Sequence, residues 1–171
     1  MSQRNLSTLT IESPLGSLEI HFDSDFVYEV RWIKEKKTTA SVIRYSHHES
    51  LAEEIIRQFN GYWKGSLFYF NLPLNISKAP PFYRQVWSAL CDIPYGNTVS
   101  YRDIARKVGK PEAARAVGNA CAANPFAVVI PCHRVVKSNG SPGKYSATGG
   151  TELKKKLILF EKRHLPKKHS I

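Results

Sequence analysis

One cysteine and one histidine stand side by side in this chain, in the pentapeptide Pro-Cys-His-Arg-Val at 131–135. A cysteine attacks as the thiolate, and its ordinary pKa lies about one to two units above neutral pH, so it needs a nearby base. His133 is such a base for Cys132. The pair follows the apolar run 126–130, which predicts that a buried strand or extended segment delivers both side chains to a pocket. The chemistry indicated is nucleophilic attack by a thiol.

The first part of the chain contains the alternation that is typical of β-strands. Apolar and polar residues alternate over 6–11, 15–22 and 26–33, with turn residues between the runs, which predicts an antiparallel three-stranded meander. A helix is predicted next, with one apolar face formed by Leu51, Ile55, Phe59 and Tyr62. We predict a small N-terminal α/β domain over residues 1–70 and a proline-rich linker over 71–81.

The second part is predicted to be mostly helical. One helix begins at the prolines 80–81 and ends before Pro94, a second runs over 100–107 with Ser100 as its N-cap, and a third covers about 111–123. Two short helices joined by a turn that contains glycine form a helix-turn-helix. The predicted fold is therefore α+β, with a winged helix-turn-helix domain over residues 82–171.

The outward face of the third predicted helix carries only small side chains around Arg115. A helix that reads the major groove normally presents several long polar side chains. This helix favours close approach to a DNA backbone or a narrow groove, with one guanidinium inserted and no sequence readout. The residue types leave equally open that the small residues serve only to form a good helix.

The net charge of +11 is concentrated in the second part of the chain. Residues 1–75 hold 8 Lys and Arg against 9 Asp and Glu, whereas residues 76–171 hold 17 against 5. A basic surface attracts polyanions, so we predict nucleic acid as the partner of the second part. The clusters 154–156 and 167–168 are compatible with either DNA binding or an ordinary solvated surface.

The cysteines and the apolar runs exclude several classes. The three cysteines, Cys91, Cys121 and Cys132, are an odd number without a CxxC spacing, which argues against a disulfide framework and a zinc site. No apolar run approaches the ~18 residues that a membrane span requires, and the N-terminus lacks the apolar segment of a secretory signal. We therefore predict a cytoplasmic protein with no metal, no cofactor and no membrane partner.

Several motifs together resemble one known family. They are Ile-Pro-Tyr-Gly-Asn-Thr-Val-Ser-Tyr at 93–101, Ala-Arg-Ala-Val-Gly at 114–118, Asn-Pro at 124–125 and Ile-Pro-Cys-His-Arg-Val-Val at 130–136. They resemble the O6-alkylguanine-DNA alkyltransferase family from about residue 82 to 145. The resemblance implies direct repair of double-stranded DNA that bears O6-alkylguanine by a monomeric protein, and leaves open whether O4-alkylthymine is also repaired.

The resemblance also implies the catalytic residues. The alkyl group, typically methyl, moves to Cys132, and a glutamate at the position of Glu161 orients His133 in a relay that reaches the thiol through a water molecule. By residue type alone, Glu161 is predicted to be an ordinary surface carboxylate. Arg134 is expected to form a structural bridge rather than a catalytic contact.

Five residues occupy positions that contact DNA in the family. Arg115 resembles the finger that replaces a flipped-out nucleotide, and Tyr101 resembles the aromatic residue that presses on the adjacent phosphate. Arg102, Lys110 and Ser138 occupy backbone-contacting positions, with Ser138 in a wing-like turn at 137–140.

Three further residues match the family's hinge and pocket. Asn124 resembles the hinge asparagine that ties the recognition helix to the active-site segment, and Tyr145 and Ser146 resemble groups that hydrogen-bond the purine. The chain departs from the family pattern just afterwards, where Ala147 and Thr148 are a two-residue insertion. We expect the insertion to alter the lip of the pocket.

The product chemistry predicts a single use of each molecule. A thioether on Cys132 has no leaving group that His133 can activate, so the protein is consumed as it reacts. Two other classes remain open: a non-catalytic helix-turn-helix protein that only binds the lesion, and a cysteine hydrolase. The first does not need Cys132, and the second does not explain the basic helix-turn-helix.

Overall fold

A computed structural model of the chain describes residues 6–34 and 49–165, and it begins with an antiparallel sheet. Strands β1 (Ser7–Ser13), β2 (Gly16–Phe22) and β3 (Val27–Ile33) lie in the order β1-β2-β3. The predicted meander is confirmed, and the apolar residues of each strand enter the core. In the central strand β2, Ser17 and Glu19 on the opposite face are buried as well. Residues that are buried in the core include Leu9, Ile11, Leu18, Ile20, Val30 and Trp32.

Helix α1 (Glu49–Trp63) supplies the second layer of the N-terminal part. All four apolar residues of its predicted face are buried, namely Leu51, Ile55, Phe59 and Tyr62. The spacing of three and four residues places them on one side of the helix. The predicted sheet and helix are both present.

As far as residue 165, where the description ends, the second part contains four further α-helices. They are α2 (Pro81–Cys91), α3 (Tyr101–Lys107), α4 (Ala114–Ala122) and α5 (Gly150–Arg163). Between them, the short strands β4 (Val99–Ser100) and β5 (Val135–Val136) form a parallel pair. The α+β fold class predicted from the sequence is confirmed.

The helix-turn-helix consists of α3 and α4. Ser100 caps α3 in a reciprocal capping box with Asp103, as its residue type predicts. The predicted start of the third helix at about residue 111 is wrong, because the Ala113 N–H donates to the Lys110 carbonyl and closes a separate turn before α4. The wing-like segment is a single turn, in which the Gly140 N–H donates to the Lys137 carbonyl.

The free edge of β3 binds two segments from later in the chain. The Val27 N–H donates to Pro73 O at 2.7 Å, within the predicted linker. The Val30 N–H donates to Pro125 O at 2.8 Å, and the Ala127 N–H donates to Val30 O at 2.9 Å. These bonds satisfy backbone groups that an edge strand would otherwise expose.

The buried apolar residues of the sheet, of α1 and of the C-terminal helices form one core cluster. The two predicted domains therefore share an apolar interior, and the boundary at 71–81 stays a prediction.

Candidate active site

The segment that carries the Cys-His pair is not extended. Residues Cys132–Arg134 form one 3₁₀ turn, closed by the Arg134 N–H donating to Pro131 O at 2.9 Å. The prediction of a strand or extended segment is wrong here. Val128, four residues earlier, has a φ of 71°, a left-handed conformation that is strained for a β-branched residue. The chain that leads to the active-site turn is thus held in a conformation that Val128 does not prefer.

Cys132 lies on the wall of a cavity of about 640 Å³. The Asn124 side-chain amide donates to Cys132 Sγ at 3.2 Å and to Ile130 O at 2.9 Å, so it links the end of α4 to the active-site segment. Burial raises the pKa of the Cys132 thiol, and the Asn124 amide and the Lys154 ammonium partly oppose that rise. The thiol is therefore protonated at neutral pH until a base accepts its proton.

His133 faces away from the cavity, into the core. Its Nε2 lies 2.7 Å from Glu161 Oε1, and neither side chain is accessible to solvent by more than 1%. The two side chains of the 3₁₀ turn thus enter different surroundings, Cys132 the cavity and His133 the interior. Glu161, which residue type alone assigns to the surface, is one of the most buried polar residues among those described.

Glu161 accepts hydrogen bonds from four groups. The donors are the Tyr62 hydroxyl, the Gly96 N–H, His133 and the Arg134 guanidinium, at distances between 2.7 and 3.2 Å. Burial by itself would raise the pKa of Glu161, but His133 and Arg134 hold it below its ordinary value. We call Tyr62, His133, Arg134 and Glu161 the rear wall; this buried cluster lies behind Cys132, and none of its four members lines the cavity itself.

The rear wall determines which nitrogen of His133 carries the proton. Glu161 is ionised and can only accept hydrogen bonds, so Nε2 must be the protonated nitrogen. Nδ1 then keeps its lone pair, and it has no hydrogen-bond partner within the described part of the chain. Burial lowers the pKa of His133, which keeps the imidazole neutral at pH 7. His133 is thereby prepared to accept a proton on Nδ1.

Arg134 makes the structural bridge that the sequence predicts. Its guanidinium donates through Nε and Nη2 to Glu161 and through Nη1 to Ile93 O at 2.7 Å. It is 5% exposed and does not line the cavity. The bridge connects the 3₁₀ turn to the segment that follows α2.

Four of the five predicted DNA contacts line the cavity. Tyr101 and Arg102 come from α3, Arg115 from the first turn of α4, and Ser138 from the wing-like turn. Lys110 is exposed in the turn between the helices and does not line the cavity. We call Tyr101, Arg102, Arg115 and Ser138 the mouth of the cavity.

Tyr145 and Ser146, the predicted pocket residues, line this cavity and also a second one of about 260 Å³. Both cavities reach Cys132. Of these two cavities, Ala147 and Thr148 of the insertion line only the second, and Thr148 also lines a third cavity of about 380 Å³ that does not include Cys132. The effect of the insertion on the substrate stays a prediction.

Lys154 is a site residue that the sequence reasoning missed, since the cluster 154–156 is equally compatible with DNA binding and with a solvated surface. It is 1% exposed, lines the larger cavity and donates from Nζ to the Tyr101 hydroxyl at 3.2 Å. Burial lowers its pKa, while Cys132 raises it in part. A signal was present in the sequence, because Lys154 lies two helical turns before Glu161 on the same face of α5.

The N-terminal part contributes two further residues that the sequence did not indicate. Tyr62 reaches Glu161 from α1, and Trp32 of β3 lines the second cavity beside Cys132. Both residue types fit an ordinary apolar face, so no pattern in the sequence distinguished them.

Among residues 6–34 and 49–165, no group of three or more His, Cys, Asp and Glu is arranged to hold a metal ion. None of the helices in these ranges is both long enough and apolar enough to span a membrane.

The chain is similar to known proteins in sequence and in fold. The family described as 6-O-methylguanine DNA methyltransferase, DNA binding domain, matches residues 81–163. A methylated-DNA–protein-cysteine methyltransferase of Methanosarcina barkeri is 37% identical over 155 residues, which are 91% of this chain and 96% of that protein.

Two solved structures are similar over nearly the whole chain. The crystal structure of Mycobacterium tuberculosis O6-methylguanine methyltransferase has a TM-score of 0.76 and 32% identity, covering 95% of this chain and 96% of the other. The crystal structure of Mycobacterium tuberculosis OGT in complex with DNA has a TM-score of 0.76 and 35% identity, covering 92% and 94%.

Proposed function

This chain belongs to the O6-methylguanine DNA methyltransferase family, and on that premise we propose that it repairs double-stranded DNA by moving the alkyl group of O6-alkylguanine to Cys132. Its activity is that of its relatives, methyl transfer from methylated DNA to a protein cysteine. One observation carries the assignment of Cys132: the thiol faces a basic cavity, with the buried His133–Glu161 pair behind it.

The first step is removal of the proton from the Cys132 thiol. His133 Nδ1 accepts it through a bridging water molecule, and Glu161 stabilises the imidazolium that results. The Asn124 amide and the Lys154 ammonium stabilise the thiolate, as their effect on the pKa of Cys132 indicates. The neutral imidazole and the free lone pair of Nδ1 support this role.

The alkyl carbon moves next. The thiolate forms a bond to that carbon while the bond from the carbon to guanine O6 breaks, and the electron pair of the broken bond stays on the guanine. The Tyr145 hydroxyl donates a proton to the leaving base and is reprotonated by the imidazolium. The proton that left Cys132 is thereby balanced by one gained by guanine, and normal guanine remains in the duplex.

Guanine O6 lies inside the base stack, so the nucleotide must leave the duplex to reach Cys132. We assign the replacement of the flipped base to Arg115, which is exposed at the first turn of α4 and lines the cavity. Tyr101 presses on the adjacent phosphate, and Arg102, Lys110 and Ser138 bind the backbone. Ser146 contacts the purine, and the protein acts as a monomer.

Each molecule reacts once. A thioether at Cys132 offers His133 no leaving group, so the acceptor is not regenerated. The expected stoichiometry is one alkyl group per protein molecule.

The test is incubation of the full chain with a duplex oligonucleotide containing O6-methylguanine, followed by mass spectrometry of the peptide that carries Cys132. We expect one methyl group on Cys132, none in the Cys132→Ala variant, and normal transfer in Cys121→Ala, which removes the other cysteine of the cavity. Tight binding without methylation would support the lesion-binding alternative instead. Repaired DNA in excess of protein would contradict the single use of each molecule.

A further inference from the structure

Two buried polar atoms beside Cys132 come from different parts of the chain. The indole Nε1 of Trp32, on β3, and the hydroxyl of Tyr145, in the loop before α5, are both inaccessible to solvent. Neither has a hydrogen-bond partner at standard geometry within the described residues. Both side chains line the second cavity, and so does Cys132. Buried polar atoms in this condition require an explanation, since each costs about 1–3 kcal/mol.

We propose that Trp32 is a positioning residue for alkyl transfer, whose indole N–H fixes the direction of the Tyr145 hydroxyl so that this hydroxyl donates toward Cys132. The proposal rests on the proposed function, because it concerns the same thiol.

The direction of the hydrogen bond between Trp32 and Tyr145 follows from which of their atoms can donate and which can accept. An indole nitrogen can only donate, so a phenol beside it must accept on its oxygen. The phenol's own hydrogen is then directed away from Trp32, and Cys132 is among the polar residues of the same cavity toward which it can point. Burial raises the pKa of Tyr145 and the nearby Cys132 raises it further, whereas the Trp32 indole lowers it, as a donor to the phenol oxygen must. Catalytic hydrogen bonds are often long before the substrate binds, which accounts for the open geometry.

Trp32 is well placed to act as the fixed partner. It is 5% exposed, and Trp63 packs edge-on against it with 6.2 Å between ring centroids. Two positions earlier on the same strand, Val30 forms the backbone bonds to Pro125 and Ala127 described above. The same strand therefore holds both the active-site segment and the indole.

Tyr145 lies in a loop that contains glycines, outside any helix or strand. The loop between β5 and α5 contains Gly143 and Gly149 in positive-φ conformations of 69° and 98°. Glycine adopts these conformations without the strain that a side chain would add. The Trp32 indole on the sheet is a partner for the hydroxyl from outside this loop.

The proposed hydrogen bond from Tyr145 also stabilises the thiolate of Cys132. A second donor at Cys132 Sγ, in addition to the Asn124 amide, opposes the rise in the pKa that burial causes. Once the alkyl group has been transferred, the same hydroxyl is the donor that faces the leaving base.

The experiment compares Trp32→Phe with Trp63→Phe in single-turnover transfer from duplex O6-methylguanine. Each change removes a buried indole N–H that has no hydrogen-bond partner within the described residues. The two rings pack against each other, but of the two only Trp32 lines a cavity that reaches Cys132. We expect Trp32→Phe to slow transfer about tenfold and Trp63→Phe to leave the rate within about twofold. The pH–rate profile of Trp32→Phe should move to higher pH, because the thiolate loses a donor.

A double variant separates positioning from general support. If Trp32 acts through Tyr145, Trp32→Phe combined with Tyr145→Phe should be no slower than Tyr145→Phe alone. Two outcomes would overturn the proposal. One is a double variant whose rate loss equals the product of the losses in the two single variants, and the other is an equal rate loss in Trp32→Phe and Trp63→Phe. If Trp32→Phe does not fold, 3-benzothienyl-alanine at position 32 keeps the shape and removes only the N–H, and an unchanged rate there also overturns it. Failure of the wild-type chain to methylate Cys132 would instead contradict the proposed function.

Discussion

The rear wall and the mouth of the cavity satisfy their polar groups in opposite ways. In the rear wall, Glu161 accepts hydrogen bonds from four donors. All four residues of the rear wall are buried. In the mouth, Arg102, Arg115 and Ser138 are exposed to solvent. The groups proposed to prepare the thiol are thus fixed inside the protein, while those assigned to DNA keep their hydrogen-bonding capacity for a partner.

The difference shows where preorganisation is needed. A proton relay works only if donor and acceptor are held at short distance before the reaction, so its members must bind each other. A surface that accepts a long polyanion can let DNA supply the missing contacts. The unpartnered atoms at the boundary, His133 Nδ1 and the Tyr145 hydroxyl, are the ones that the proposed chemistry uses.

The change expected to have the largest effect breaks the rear wall. Glu161→Gln removes the charge that pairs with Arg134 and replaces one of the two acceptor oxygens by an NH2 donor, so the proton on His133 Nε2 is no longer fixed by the charge. Because an unpaired charge then stays buried, we expect a loss of about 3–5 kcal/mol in the free energy of unfolding. Urea unfolding measures the stability, and single-turnover transfer measures the accompanying loss of activity.

The matched control is Glu152→Gln on the same helix. Glu152 is exposed and pairs only with Lys155 among the described residues, so its replacement should leave the unfolding midpoint unchanged. The pH dependence gives a second check. The pKa of Glu161 is held below its ordinary value, so its contribution to stability is present above about pH 4.5 and is lost as the pH falls. Equal urea unfolding midpoints for Glu161→Gln and Glu152→Gln would contradict the proposed importance of the rear wall.

The sequence predicted the two parts of this site unequally, for a physical reason. Alternation and helical spacing determine which face of an element is buried, so the meander, the face of α1 and the capped α3 were predictable. The start of α4 and the 3₁₀ turn depend on local backbone bonds that residue types do not encode. The positions of Cys132 and His133 were evident only because the two residues are adjacent in sequence.

Contacts between distant segments were beyond the sequence reasoning. Tyr62 and Glu161 are 99 positions apart, and nothing in either residue's neighbourhood indicates that they meet. Glu161 was identified through the resemblance, since its residue type predicted the surface. Lys154 shows a prediction that was within reach, because its face of α5 is also the face of Leu157 and Glu161.

The next largest effect tests the mouth. Arg115→Ala removes the side chain assigned to the space of the flipped nucleotide, and unstacking a base costs a few kcal/mol, so transfer from duplex O6-methylguanine should slow about 10- to 100-fold. Transfer from the free base O6-benzylguanine, which needs no flipping, should stay near the wild-type rate. The comparison of the two substrates is the measurement. An equal loss on both would place Arg115 in the chemistry rather than in DNA distortion.

A smaller effect is expected at the junction of the two regions. Lys154→Met removes the ammonium that lowers the pKa of Cys132 against burial, so that pKa rises and the thiolate fraction at neutral pH falls. If the pKa of the thiol rises by about one, the rate at neutral pH should fall about tenfold, and the loss should be recovered at higher pH. The pH–rate profile measures the change in pKa.

Lys155→Met is the control for this change, since Lys155 is exposed and pairs with Glu152. Its profile should superimpose on that of the wild-type chain. A loss in Lys154→Met that is the same at every pH would indicate that Lys154 acts on packing or on Tyr101 rather than on the charge of the thiol.

The smallest effect on methyl transfer is expected from Ala147→Leu, in the inserted pair. Ala147 lines the second cavity, which reaches Cys132 from the side of the sheet rather than from the mouth. A methyl group does not need that volume, so methyl transfer should change by no more than about twofold. A benzyl group extends beyond the thiol, and a larger side chain in the wall should slow its transfer about tenfold or more, as expected for the loss of pocket volume. Rates from duplexes containing O6-methylguanine and O6-benzylguanine give the ratio directly. A constant ratio would mean that bulky groups occupy only the larger cavity and do not reach the wall formed by Ala147.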